Sequence, residues 1–235
     1  KELFVRVKTE SEDAELVQLA LNMEACCALM MGNPNEVIEL LEGTSHKILS
    51  SEALLASAYQ MIGKSKDAKL ILQVAIYQHM GYLFGALTDY LMLCTDNPEQ
   101  FDITLKRAND IAEAFDLKKL HPSLLMKLYI VAAQGCTMLG KTERALEILE
   151  KYAELVTSNI YPLQLKGDEY FYLIDQWIEE FDLGNTLPRS EKIIIRKSMA
   201  DGVINNPAFT ILADEIRFKR IVEKLKNNCE ERYSP

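Results

Sequence analysis

Histidine is the residue type best suited to metal binding or to proton transfer near neutral pH. The three histidines of this sequence, His46, His79 and His121, lie far apart along the chain. No thiol or carboxylate completes a recognised metal-binding or catalytic motif with any of them. We therefore interpret all three as solvated or core histidines. We expect His46 and His121 in loops or at helix starts, and His79 at a helix end.

Cysteine is the second candidate for chemistry, as a nucleophile, a metal ligand or half of a disulfide. The five cysteines are scattered and form no C-x-x-C pair; they are Cys26, Cys27, Cys94, Cys136 and Cys229. An odd number that lies mostly in apolar stretches predicts reduced, buried thiols in a cytosolic protein. The adjacent pair Cys26–Cys27 could act as a redox sensor, but neighbouring cysteines bridge only with strain.

Other catalytic signatures do not occur in the sequence. Its glycines are isolated rather than grouped into a phosphate-binding loop, and neither a G-x-S-x-G elbow nor an H-E-x-x-H helix is present. The 35 acidic residues are spread along the chain, a pattern typical of solvated helix faces. We predict that the protein is not an enzyme, binds no metal and needs no cofactor.

Charge and hydropathy restrict the partners that we expect. The net charge is −9, and the acidic excess precedes residue 186, so direct binding of nucleic acid by this part is disfavoured. The stretch 186–227 is modestly basic. We found no uninterrupted apolar run of the roughly 18 residues that a membrane span needs, and no signal peptide. These features predict a cytoplasmic protein without a membrane partner.

A short pattern occurs twice, in MIGKSKDAKLILQVA at 61–75 and in MLGKTERALEILEKYA at 138–153. In each, a helix with one apolar face precedes a glycine, Gly63 or Gly140, that suits a helix C-terminus. An alanine follows five residues later, at Ala68 or Ala145, and begins a second apolar stripe. This pattern predicts two helices joined by a short turn, with the small alanine allowing close packing.

The unit Leu55-Ala56-x-x-Tyr59-x-x-x-Gly63-x-x-x-x-Ala68-x-x-x-Leu72-x-x-Ala75 resembles a tetratricopeptide repeat. The unit around Gly140 resembles it with fewer matching positions. Looser copies have Gly32 followed by Val37, and Asp96 followed by Phe101. Such repeats are about 34 residues long and stack into a solenoid. The resemblance covers about 1–160, and the longer interval between Asp96 and Gly140 resembles that in sensor domains of bacterial regulators.

The resemblance implies an all-α fold, a right-handed superhelix of antiparallel helical hairpins closed by a C-terminal helical cap. We assign 1–160 to the repeat array and 161–235 to a continuing hairpin and cap, in one continuous solenoid. Periodicity predicts an amphipathic helix over 167–184 with Asp168 as N-cap and Gly184 as its end. A second helix follows Pro188. A break at 205–207 and a last helix around 214–227 resemble the "NPAF…RF" closing motif of such arrays.

In this family, three positions of each first helix face the concave groove. Carried onto this sequence, the positions with polar or reactive side chains are Asn22, Cys26, Ser57, Gln60, Tyr90, Gln134 and Thr137. The same transfer gives Leu29, Ala53, Ala86, Leu93 and Ile130. Amides can pair with both the N–H and the C=O groups of an extended peptide, so the resemblance implies a peptide or protein ligand. The absence of cationic residues from this set disfavours a clamp for a C-terminal carboxylate.

These features predict the ligand-sensing and dimerisation part of a bacterial transcriptional regulator. We expect a homodimer that touches DNA only through another domain, which we expect before Lys1 because the sequence begins with a basic segment and without Met. The alternative is an interaction scaffold with no role in DNA binding. The aromatic residues of 170–181 favour a core stripe over a ligand pocket or dimer surface.

Overall fold

The computed structural model describes residues 2–41, 51–158, 160, 165–180 and 189–230, and all regular structure in these ranges is helical. The predicted all-α class is therefore confirmed. The chain divides into two compact units, Lys1–Ser51 and Glu52–Pro235. The superhelical arrangement and the predicted division at residue 160 stay predictions. Residues His46, Phe181, Gly184 and Pro188, which the sequence analysis singled out, lie outside the described ranges.

Within its described residues, the first unit contains three helices, α1 (Glu2–Glu10), α2 (Ala14–Met30) and α3 (Pro34–Leu41). Helix α2 packs against both of the others. The ammonium of Lys8 on α1 lies 2.7 Å from Glu24 Oε2 on α2, and Glu24 is only 5% exposed. This ion pair joins α1 to α2. It also offsets the free energy that burial of the Glu24 carboxylate without a partner would cost.

The second unit contains the other helices that the structure describes. They are α4 (Ser51–Met61), α5 (Ser65–Leu93), α6 (Pro98–Ala114), α7 (Leu117–Leu120), α8 (Pro122–Met138), α9 (Thr142–Thr157), α10 (Asp175–Glu179), α11 (Arg189–Ile204) and α12 (Ile216–Glu230), with 3₁₀ turns at Cys94–Asp96 and Pro207–Leu212. Helix α8 packs against α5, α6, α7 and α9, and the largest buried cluster surrounds it.

The predicted turn glycines adopt the expected left-handed conformation. Gly32, Gly63 and Gly140 have φ angles of +76°, +79° and +69°. After Gly140, the amide of Lys141 donates to the carbonyl of Cys136 at 2.8 Å, and this closes the end of α8. Substitution at these glycines would place a Cβ in a conformation that only glycine adopts readily. The helix–turn–helix units at 61–75 and 138–153 are confirmed.

The hairpin of α8 and α9 is the best packed of these units. Ala132, Ala133 and Cys136 on α8 are fully buried, as is Ala145 on α9. The small side chain at 145 therefore lies in the interior, as the repeat predicts.

Helix α5 departs from the expected repeat. A tetratricopeptide pattern would end one helix before about residue 80 and start another near 82, but α5 continues through 29 residues. Gly81 and Gly85 lie within it, because an isolated glycine weakens a helix by only about 1 kcal/mol and no proline intervenes. His79 therefore lies in the middle of a helix, and the prediction of a helix end there is wrong.

Helix α5 also bears on the expectation that the protein has no membrane partner, which stays a prediction. With the 3₁₀ turn that follows it, Ser65–Asp96 is long and apolar enough to cross a bilayer by length and composition. A core helix of a soluble protein passes the same test. One side of α5 lies in the core, where Phe84 and Leu91 are fully buried, so this side packs against protein.

The segment 165–180 differs most from its prediction. Instead of one amphipathic helix over 167–184, residues 165–174 are irregular and only Asp175–Glu179 is helical. The carboxylate of Asp168 accepts hydrogen bonds from the amides of Tyr170 and Phe171, at 2.9 and 2.8 Å. Asp168 thus closes a local turn and does not cap a long helix; short acidic side chains can form either structure.

The predicted closing helices are present. Helix α11 ends at Ile204, and Asn206 then accepts a hydrogen bond from the amide of Ala208 at the start of the second 3₁₀ turn. Helix α12 packs against α9 and α11. The guanidinium of Arg217 bonds to both carboxylate oxygens of Glu150, at 2.8 and 2.7 Å, which joins α12 to α9.

Candidate functional site

In the first unit, the predicted groove residues lie together on one exposed part of α2. Asn22 and Cys26 are one turn apart and both are exposed, and Leu29 is exposed as well. The side-chain oxygen of Asn22 accepts a hydrogen bond from Gln18 Nε2 at 3.2 Å. The prediction of buried thiols holds for Cys94 and Cys136 but fails for Cys26, which is exposed, while Cys27 and Cys229 are half-buried.

In the second unit, Ser57 and Gln60 occupy the exposed side of α4. The hydroxyl of Ser57 donates to the carbonyl of Ala53 at 2.9 Å, so its proton is already used within the helix. Gln60 has an exposed amide with both donor and acceptor capacity. Of these two residues, Gln60 has the side chain better suited to an extended peptide.

On α8, all three predicted groove positions are half-buried. The hydroxyl of Thr137 donates to the carbonyl of Ala133 at 2.9 Å, a bond within the helix. Gln134 and Ile130 are half-buried as well. These positions therefore offer less free surface than the transferred family geometry implies.

On α5, the predicted positions are freely exposed. Leu93 is 75% exposed and Tyr90 is 47% exposed, and Ala86 is exposed one turn before Tyr90. The neighbouring Cys94 thiol raises the pKa of Tyr90 above its ordinary value. Tyr90 thus presents a protonated hydroxyl and an aromatic ring to a partner at neutral pH.

The structure adds further apolar residues to this side of α5. We use the term α5 face for its exposed and half-exposed side chains, which are Leu72, Ile76, His79, Tyr82, Leu83, Ala86, Tyr90 and Leu93. Tyr82 is 73% exposed and Leu83 is 52% exposed. Neither residue was among the predicted groove positions, because a helix end was expected at His79. Their spacing from Ala86 and Tyr90 at helical intervals was the signal that could have revealed them.

The opposite side of α5 holds this face in place. Tyr77, Phe84 and Leu91 are buried there, and α5 packs against α6 and α8. The ammonium of Lys127 on α8 lies 2.6 Å from Asp89 Oδ1 on α5, at the edge of the α5 face. A helix anchored along one side presents its other side as a rigid surface, which lowers the entropic cost of binding.

A cavity of about 430 Å³ lies beside α7. Its lining residues are Asp116, Lys119, Leu120 and 166–170. The Lys119 ammonium lies 2.7 Å from Asp116 Oδ2, so these opposite charges already neutralise each other. Such a lining holds no paired nucleophile and base, and we assign no reaction to it.

A smaller cavity, of about 160 Å³, lies between α9 and α12. The pair formed by Glu150 and Arg217 contributes to its wall. The hydrogen bond from Arg217 is the main cause that lowers the pKa of Glu150. Glu150 is therefore a stable ion-pair partner and a poor general base at neutral pH.

The histidines show no shared site within the described residues. His79 is exposed on α5, and His121 lies half-buried before α8 with its Nδ1 3.0 Å from Ser123 Oγ. Burial lowers the pKa of His121. The described part of the chain contains no group of three or more His, Cys, Asp or Glu side chains arranged to hold a metal ion.

Comparison with known proteins assigns no family. The sequence matches no protein-family model, no curated protein and no solved structure.

Proposed function

We propose that this protein is a non-enzymatic module that binds a peptide or protein partner through the α5 face. Its role is the ligand-sensing and dimerisation part of a bacterial transcriptional regulator. The resemblance of 55–75 to a tetratricopeptide repeat supports this reading, since such arrays bind partners on exposed helix faces. In this proposal the regulator contacts DNA through a different domain.

One observation carries the proposal. Three positions transferred from the repeat family, at Ala86, Tyr90 and Leu93, lie on the same exposed side of a helix that is buried along its other side. Exposed aromatic and aliphatic side chains on one rigid face are typical of interaction surfaces. The surface is therefore built for contact with another macromolecule.

The alternative is an interaction scaffold without any regulatory role. The uncharged α5 face supports both functions equally, because it indicates that a partner binds there and not what the binding changes. The two functions differ in what a bound partner changes. A sensor alters the association of its subunits when ligand binds, whereas a scaffold keeps the same state with and without its partner.

A selection from a phage-displayed peptide library on the immobilised protein tests this function. We expect enriched peptides whose binding weakens at least about tenfold in the variant Tyr90→Ala, since aromatic residues dominate interface energetics. The matched control is Ile211→Ala, because Ile211 is exposed on the 3₁₀ turn Pro207–Leu212 and does not belong to the α5 face.

Two results would contradict the proposal. One is a selection that enriches no peptide, and the other is a set of peptides that bind the Tyr90→Ala variant as well as the original protein. Addition of an enriched peptide during sedimentation then separates sensor from scaffold. A change in subunit association supports the sensor.

A further inference from the structure

Seven residues of α5 recur at alternating intervals of four and three. They are Leu72, Ile76, His79, Leu83, Ala86, Tyr90 and Leu93. This alternation averages 3.5 residues, the repeat of the a and d positions at which one helix packs along another in a coiled coil. Ile76 is half-buried and the other six are exposed. The spacing is therefore that of a helix–helix seam, and in the described part of the chain no second helix covers its exposed side chains.

The exposed area of this seam is of the size that a dimer requires. Tyr82 flanks the seam, and with Leu72, Leu83, Tyr90 and Leu93 it is 42–75% exposed. Together these five side chains expose roughly 500 Å², which is large for one apolar patch on a monomer. The same area on a second copy brings the total to about 1,000 Å², the lower limit of a specific interface.

Charge favours a second copy of the same chain as the partner. The chain carries a net charge of −9, so most surfaces of two copies repel each other. The stretch 70–87 contains no Asp, Glu, Lys or Arg, and Asp89 at the edge is paired with Lys127. Like charge therefore opposes self-association least at this seam.

We propose that the seam of α5 packs antiparallel against the seam of α5 in a second copy. This inference rests on the proposed function, since it names a second copy of the chain as the partner of the α5 face. A peptide that binds the same face would have to displace that copy, which is how ligand binding would change subunit association. Antiparallel packing places Leu83 opposite Ala86 of the second copy, a large residue against a small one. It also places His79 opposite Tyr90 and Ile76 opposite Leu93. A parallel arrangement would set each Ala86 against the other and leave a gap.

A lipid bilayer is the competing partner for such an apolar helix, and the structure disfavours it. Insertion of α5 across a membrane would require the side that carries Phe84 and Leu91 to leave the core. Phe84 and Leu91 would remain out of water in lipid, but the side chains of α6 and α8 that pack against α5 would be left in water, and exposure of two such side chains costs about 3–6 kcal/mol. The α5 face alone is thus the surface offered to a partner.

Sedimentation velocity over a range of protein concentrations tests the inference. We expect a dimer for the original protein, and an increase of at least about tenfold in the dissociation constant for Leu83→Glu/Leu93→Glu, because the carboxylates would be buried against the apolar residues Ala86 and Ile76 of the second copy. The control Ile211→Glu adds a charge at a residue that is 76% exposed elsewhere, and should remain dimeric. Circular dichroism checks that each variant keeps its helices, and Ala86→Glu replaces the double variant if it does not.

A monomer at all concentrations would overturn the inference. So would a dimer that persists in Leu83→Glu/Leu93→Glu, or a monomer that floats with phosphatidylcholine vesicles. A monomer that still binds selected peptides through Tyr90 would overturn the dimer and leave the proposed function standing. A seam-dependent dimer that binds no peptide would support the dimer and contradict ligand sensing.

Discussion

The hydroxyl of Tyr77 lies in an aromatic cluster that restricts its polar contacts. It is buried without a hydrogen-bond partner among the residues that the structure describes. Its ring meets those of Phe171 and Trp177 edge-on, at centroid distances of 5.6 and 5.9 Å. Burial raises the pKa of Tyr77 to about 12. The hydroxyl of Tyr77 is therefore neutral, and it loses its hydrogen bonds to water when the protein folds.

Removal of this hydroxyl should stabilise the protein. We expect Tyr77→Phe to raise the free energy of unfolding by about 1 kcal/mol, because an unsatisfied buried group no longer needs to lose its hydration. Urea unfolding followed by circular dichroism measures this change.

Tyr152→Phe is the matched comparison for Tyr77→Phe. The hydroxyl of Tyr152 donates to the carbonyl of Met199 at 2.7 Å, so its loss should lower the free energy of unfolding by about 1–2 kcal/mol. Equal effects of the two substitutions would contradict this account of Tyr77.

The turn glycines show why some single residues were predictable. A glycine between two helical stripes fits a left-handed helix end, and this preference depends only on local sterics. Gly32, Gly63 and Gly140 could therefore be placed from the sequence. The exposure of Cys26 could not, because burial depends on which helices cover α2.

Close contact between α6 and α8 depends on the absence of a side chain at Gly135. A Cβ at this position would lie 2.7 Å from Cζ of Phe101, whose ring is fully buried. Phe101 occupies the place of the small residue in its repeat, and Gly135 supplies the space that the large ring needs.

An alanine at 135 should therefore destabilise the protein. We expect Gly135→Ala to lower the free energy of unfolding by about 1–3 kcal/mol, because the buried ring must move. Gly81→Ala is the control, since its Cβ would meet no atom within 4 Å. It should raise the free energy of unfolding by about 0.5–1 kcal/mol through helix propensity. A stabilising Gly135→Ala in the same urea titration would refute the packing argument.

The irregular segment 165–174 is fixed to α5 by one amide. Gln73 Nε2 donates to the carbonyl of Tyr170 at 2.7 Å, and Gln73 Oε1 accepts from the amide of Leu173 at 3.1 Å. Phe171 and Ile174 are buried on either side of this clamp. Gln73 thus replaces backbone bonds that a helix would have formed.

Loss of the clamp should loosen this segment before the rest of the protein. We expect Gln73→Leu to weaken the segment by about 1–2 kcal/mol, because two hydrogen bonds are lost. Trp177 is the only tryptophan of the chain, so its fluorescence reports on the segment. Its urea midpoint should fall below that of the helical signal, whereas exposed Gln176→Leu should leave the two coincident. Coincident midpoints in Gln73→Leu would exclude the clamp.

Helices could be predicted where a local apolar pattern determines them. The prediction was wrong where contacts with residues distant in sequence determine the conformation. The pattern at 138–153 predicted the turn between α8 and α9, and the last predicted helix, around 214–227, lies within a few residues of α12. The aromatic run at 170–178 has helical spacing as well, yet Asp168 and Gln73 hold it in another conformation. Gln73 lies about a hundred residues away, and no local pattern reveals such a contact.

For the molecule as a whole, the main feature is the exposed apolar side of α5. The α5 face gathers predicted groove positions on a single rigid helix, and each of the two cavities described above has an ion pair in its lining. The groove as a continuous wall through both units stays a prediction. Function therefore rests on what covers the α5 face in solution.

Native mass spectrometry of the purified protein and of Leu83→Glu/Leu93→Glu tests that claim most directly. We predict that the original protein carries a stoichiometric partner, a second chain or a bound peptide, and that the variant carries none. Release under denaturing conditions then identifies the partner by its mass. Identical bare monomers for both proteins would contradict the claim that the α5 face is a binding surface.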